Sequence, residues 1–254
     1  NFGKGAVYVY NTWNTGTLCS SGNANTATCT LTESTKISAP AGATNFGLSL
    51  DIFGNAIAIG SYDITNHNNG RAFLANKAGS ILEEVNSGIS NSTQSAYGAS
   101  VALSSNRFIV GAPHLARSTG GQSRSNAGSA FIYTYNSTNM TSSDYTIAET
   151  GKNEFFHPEL GSNNYFGSGV SIDGNYILVG ARSQSSHGAT HIYRTSNGSF
   201  VYRLRARSNQ RQSSMHYGEH VSLSGNTALI AAPVRSYNSF NNTGSIYFSD
   251  LSGL

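Results

Sequence analysis

One unit recurs four times along the chain with the same internal length, and any fold must accommodate it. The copies read FGLSLDIFGNAIAIG from Phe46, YGASVALSSNRFIVGAP from Tyr97, FGSGVSIDGNYILVGA from Phe166 and YGEHVSLSGNTALIAAP from Tyr217. Each contains an aromatic-Gly pair, an alternating segment, a short turn with Asn at a fixed place (Asn55, Asn106, Asn175, Asn226) and a second apolar segment. A period of tens of residues indicates a repeat architecture. Alternation at Leu48, Leu50 and Ile52, and at Val101 and Leu103, predicts a strand with one face turned inward. The same holds for Val170 and Ile172, and for Val221 and Leu223. The Gly- and Asn-bearing turns suit tight hairpins. Ile57–Ile59, Phe108–Val110, Ile177–Val179 and Leu229–Ile230 follow as short strands covered on both faces.

After a loop of variable length come Gly and a third strand: GRAFLA at Gly70, GSAFIY at Gly128, GATHIY at Gly188 and GSIYFS at Gly244. A fourth, more polar strand is expected in SILEEV after Gly79, SDYTIAE around Tyr145 and SFVYRLRAR after Gly198. Four antiparallel strands per unit, repeated radially, describe the blade of a β-propeller. The expected fold is therefore all-β, a single propeller domain over 1–254 with blades starting near 46, 97, 166 and 217 and a half-blade over 1–45. About four to five blades are represented, and both end blades are incomplete. Residues 5–10, GAVYVY, match a third strand, and roughly 28–37 its fourth; GSIYFS is a third strand without a fourth. Either the sequence is a piece of a longer propeller or another chain supplies strands. The unit glycines are 51, 69 and 51 residues apart, and the surplus in the second blade falls to 113–127 and 136–163, both assigned to the rim.

Charged residues make up 11% of the chain, against about 25% ordinarily, and the net charge is +3. No basic run or basic-aromatic face indicates nucleic acid. No apolar run would span a bilayer. Cys19 and Cys29 lie in TLCSSGNANTATCT without His or carboxylate neighbours, so a local disulfide is expected, two free thiols being the alternative. Such a bridge would stabilise the fold by about 2–3 kcal/mol. N-glycosylation sequons stand at Asn91, Asn136, Asn139, Asn197 and Asn241, all outside the core strands. Together these features point to a secreted or cell-surface glycoprotein.

The aromatic-Gly start, the Gly-Ala-Pro end (Gly111-Ala112-Pro113, with Ala231-Ala232-Pro233 as a variant) and the Gly-x-x-Tyr-x-Tyr strand resemble the FG-GAP repeats of integrin α-subunit propellers. Gly60-Ser61 and Gly180-Ala181 are degenerate versions. The resemblance implies an extracellular binding or adhesion module. Many such blades hold calcium in an Asp-rich loop between the first two strands, and calcium needs about six to eight oxygen ligands. Here the turns are short, with Asp173 their only acid and Asp51 just before its turn, so no cofactor and no calcium at that position is expected.

Loops between second and third strands share one propeller face: 61–69, 113–127, 182–187 and 233–243. Tyr62, His114, Arg117, Arg182, His187, Arg235 and Tyr237 are the candidate binding residues, with His67, Arg124 and Phe240 beside them. Aromatics would stack on a sugar and Arg would bind carboxylate or sulfate, or the same loops would contact a protein. Arg203, Arg205 and Arg207 alternate and would line one face as a stripe for a sulfated glycan or anionic polymer, with Arg211 extending it; alternatively they blunt an outer strand against edge pairing. His191 is expected in the core, and Trp13 in a packing role. The favoured reading is a non-catalytic module recognising an extracellular glycan or protein. Its rivals are a structural subunit that assembles through incomplete blades and a polysaccharide lyase using His114, His187 or Tyr237 with Arg. Glu83 and Glu84 are adjacent in a strand and point apart, and no Gly-x-Ser-x-Gly elbow occurs, so no catalytic residue is assigned.

Overall fold

A computed structural model describes residues 4–10, 33–64, 70–85, 94–119, 121–135, 154–156, 159, 161–236 and 240–254. A two-stranded pair comes first, β1 (Ala6–Val9) and β2 (Thr35–Ser38). The first blade follows as β3 (Ser49–Phe53), β4 (Ala56–Ser61), β5 (Arg71–Asn76) and β6 (Ile81–Val85). In the second, β7 (Ser100–Leu103) and β8 (Arg107–Ala112) lead into a small hairpin, β9 (Arg117–Thr119) with β10 (Gln122–Arg124). Then come β11 (Ser129–Thr134) and β12 (Glu154–Phe155). The third blade is β13 (Phe166–Asp173), β14 (Tyr176–Ala181), β15 (Ala189–Arg194) and β16 (Phe200–Leu204). β17 (Val221–Ser224), β18 (Thr227–Ala232) and β19 (Ser245–Asp250) make up the fourth. All pairings within these sheets are antiparallel, as blades require.

Innermost strands β3, β7, β13 and β17 adjoin one another in that order, so the blades stack radially. Each joint has its own core. Phe46, Ile57, Ile59 and Phe73 pack with Val7 and Ile37 on one side of the first blade, while Ala58 and Leu74 pack with Tyr97 and Phe108 on the other. Alternate residues of β4 therefore enter different cores, which is why its sequence is apolar throughout.

The aromatic-Gly pair forms the centre of a turn repeated four times. Leu48, Ala99, Ser168 and Glu219 donate their backbone N–H to the carbonyls of Asn45, Ala96, Tyr165 and His216. Gly47, Gly98, Gly167 and Gly218 sit at φ of 90°, 88°, 90° and 92°, the third position of a type II turn, which needs glycine. The fixed asparagines also have a purpose: the carbonyls of Asn55, Asn106, Asn175 and Asn226 accept from the residue just past each third strand.

Glycine in the Gly-Ala-Pro element answers a different demand. A Cβ on Gly60, Gly111 or Gly180 would lie 2.0, 2.1 or 1.8 Å from the carbonyl oxygen of Gly98, Gly167 or Gly218 in the next blade. Those same carbonyls accept hydroxyl bonds from Ser49, Ser100 and Ser168. In the fourth blade the equivalent residue is Ala231, and its own-blade bonding is unchanged, since Gly218 N–H still donates to its carbonyl.

The acids near the turns are bound by neighbouring blades. Asp51 Oδ2 accepts from Leu103 N–H at 2.6 Å, and Asp173 Oδ2 accepts from Gly225 N–H at 2.7 Å. Ser171 does the same for Leu223 N–H at 3.0 Å.

Four expectations need correction. Leu48, Leu50 and Ile52 are not packed into a core but half exposed, because Leu50 and Ile52 border an open groove with Val7 and Val9. The fourth strand of the second blade is Glu154–Phe155, because Phe155 completes the core shared with Phe166 and Tyr193, whereas the segment around Tyr145 lies outside the described residues. Loop 113–127 is more ordered than its lack of strand signal implies, since β9 and β10 pair within it. The arginine stripe does not lie on a single strand: β16 ends at Leu204, leaving Arg205 and Arg207 beyond it. Cys19, Cys29, Trp13, His67 and the sequons at Asn91, Asn136 and Asn139 lie outside the described residues. Asn197 and Asn241 are exposed in turns.

Candidate functional site

Four residues precede the aromatic-Gly pairs, and all have left-handed backbone: Asn45, Ala96, Tyr165 and His216, at φ between 50° and 58°. A bulky residue there is uncommon and costs roughly 1 kcal/mol or more. The turn explains the conformation, because it lets the following aromatic N–H reach back to the preceding blade, as Phe166 does to Ala127 and Tyr217 to His187. Two copies place a ring at this strained position, Tyr165 and His216, next to the loops that follow the second strands.

Tyr165 is the hub. The His114 ring meets it edge-on at 5.0 Å, and the Arg182 guanidinium lies 4.5 Å from its centroid. Arg182 donates to Glu219 Oε1 at 2.9 Å, and the other carboxylate oxygen faces His216 Nδ1 at 2.8 Å. Arg182 Nε is buried with no acceptor among the described residues. Across the axis, burial raises the Tyr62 hydroxyl above its ordinary pKa, opposed by the positive charge of Arg182. Asn45 holds the Tyr62 carbonyl through its side-chain amide at 3.1 Å. Residues of all four blades thus converge at one end of the axis. A separate cleft of about 260 Å³ is lined by Leu50, Ser100, Val101, Gly169 and Val221 of the innermost strands.

Of the sequence candidates, Tyr62, His114 and Arg182 enter this cluster. Arg117 and Arg235 do not, because each ties its loop to outer strands of its own blade: Arg117 to Ser129 of the third strand and Glu154 of the fourth, Arg235 to Ser245 of the third. His187 sits in the turn after a short 3-10 segment, and its carbonyl serves Tyr217. Tyr237 lies outside the described residues. His191 is fully buried, with Nε2 2.7 Å from Gln184 Oε1, as expected.

Residues 158–193 match the FG-GAP repeat family. The chain carries an FG-GAP repeat. No curated protein matches the chain. The matched FG-GAP segment spans Tyr165 and Arg182, the two residues at the centre of the cluster. FG-GAP units are propeller modules of the binding and adhesion type, and they occur typically in extracellular proteins. No helix among the described residues is long and apolar enough to cross a membrane.

Proposed function

We propose that this chain is an extracellular, non-catalytic adhesion module that recognises a glycan or protein through the face bearing Tyr62, His114, Tyr165, Arg182, His216 and Glu219. The observation that carries this reading is convergence: Tyr165 meets the Arg182 guanidinium on its face and His114 on its edge, while Glu219 links Arg182 to His216, on loops held by rigid blades. Rings offer stacking faces, and Arg182, already oriented by Glu219, offers directional charge. Burial raises the pKa of the Tyr62 hydroxyl and so keeps it protonated, which suits a hydrogen-bonding and stacking role for this ring. The turn acids are bound to neighbouring amides, which supports function without calcium there.

A glycan array probed with the purified chain tests the reading, with Arg182→Ala and Tyr165→Ala alongside. Selective binding lost in both folded variants is expected. Binding that survives both variants would refute this face as the site. Absence of new ultraviolet absorbance on incubation with uronate polymers is expected if no lyase reaction occurs.

A second reading, assembly by strand sharing, draws support from β19. Among the described residues it pairs only with β18, and Ile246 and Phe248 are 66% and 76% exposed. Concentration-dependent polymers in size-exclusion chromatography would favour that reading; a discrete monomer would remove it.

A further inference from the structure

Away from the axial face, the outer strand of the third blade borders a groove of about 550 Å³. Arg203 comes from β16, Arg205 and Arg207 from the segment just after it, and Arg211 from the turn that follows. Arg211 is drawn back to the groove by donating from Nε to the Ala206 carbonyl at 2.8 Å. Phe200 and Tyr202, 46% and 53% exposed, line the same groove. The one carboxylate there among the described residues is Glu159, paired with Arg203 and 61% exposed.

Simple protection of a free sheet edge does not account for this arrangement. Edge protection places charge on the edge strand itself, whereas β16 ends at Leu204 and Arg205, Arg207 and Arg211 all lie beyond it. Here Arg203 and Arg211 both stand close enough to Arg205 to disfavour its charge, adding to the effect of burial. Arg205 Nε is buried and has no acceptor among the described residues. Four guanidinium groups brought together against one carboxylate form a site that an anion would complete.

We propose that the groove bounded by Arg203, Arg205, Arg207 and Arg211, with Phe200 and Tyr202, binds a segment of a sulfated polysaccharide. The guanidinium groups would take sulfate oxygens through paired N–H donors, and the exposed rings would pack on the sugar faces between them. The choice of a polysaccharide over a nucleic acid rests on the extracellular reading above. This site is separate from the axial face, and neither needs the other.

The test is retention of the whole chain on immobilised heparin, with affinity measured in solution at 50, 150 and 500 mM NaCl. Wild type is expected to bind and to weaken steeply with salt. Arg203→Ala/Arg205→Ala should lose at least tenfold in affinity at 150 mM NaCl. Arg207→Glu should also weaken binding, and since Arg207 is exposed its fold is preserved. Lys36→Ala/Lys77→Ala removes the same net charge elsewhere and should change affinity less than twofold. Equal loss in the lysine control, or no loss in Arg207→Glu, would overturn the site. Equal or tighter binding of single-stranded DNA or polyglutamate would overturn its assignment to polysaccharide. Arg182→Ala should leave heparin binding intact; failure of the axial reading thus appears on the glycan array and failure of the groove on heparin.

Discussion

Replacing Gly111 with Ala tests the blade joint with a single methyl group. Gly111 does not require left-handed backbone, so the substitution is penalised by contact alone. The new Cβ would stand 2.1 Å from Gly167 O and 2.2 Å from Ser100 Oγ, where ordinary contact begins near 3.4 Å. The carbonyl belongs to a turn fixed by its own hydrogen bonds, so the third blade must retreat by more than an ångström. Overpacking of this kind costs about 1–3 kcal/mol. The Ser100 to Gly167 hydrogen bond, 2.9 Å long, is lost as well and adds about 1 kcal/mol. A total near 2–4 kcal/mol corresponds to a fall in Tm of roughly 5–15 °C for a chain of this size. Differential scanning calorimetry measures it. Ala231→Gly is the internal control: it occupies the same place in its unit and should cost only about 0.5–1 kcal/mol, from backbone entropy. A Gly111→Ala protein melting within about 2 °C of wild type would show that the blades do not approach each other as described.

Further outcomes follow from the same geometry. Asp51→Ala leaves Leu103 N–H without its acceptor and should lower stability by about 1–2 kcal/mol in urea titration, with no calcium dependence in wild type or variant. The Tyr62 hydroxyl should ionise above the ordinary value of 10, seen as the ultraviolet titration step absent from Tyr62→Phe, and Arg182→Ala should raise it further. Because the folded state holds this proton more tightly than the unfolded chain, Tyr62 contributes stability below pH 10 that declines as pH rises through the folded value. Glu219→Gln weakens the hold on both Arg182 and His216, and should reduce axial-face binding without lowering Tm by more than a few degrees.

The sequence revealed most of the fold and half of the axial cluster, for identifiable reasons. Strand alternation is a local signal, so β3, β7, β13 and β17 could be placed from Leu50, Val101, Val170 and Val221. The two residues of β12 gave no periodicity, and only the core behind Phe155 defines them. Tyr62, His114 and Arg182 were visible because they follow the second strands. Tyr165, His216 and Glu219 went unnoticed, because their meeting depends on how four separate units face one axis. The signal was present nonetheless: aligned with Asn45 and Ala96, Tyr165 and His216 are large rings at a left-handed turn position. Arg211 is legible as an extension of the arginine stripe, but the bond from its Nε to the Ala206 carbonyl that holds it at the groove is not.

The proposed recognition face is built jointly by all four blades. Hydrogen–deuterium exchange of the chain with and without its best glycan-array ligand tests this directly. Protection is predicted together at 62–64, 113–116, 165–168, 182–187 and 216–219, and absent along 200–204. Protection confined to the loops of a single blade, or to an outer strand, would contradict the account.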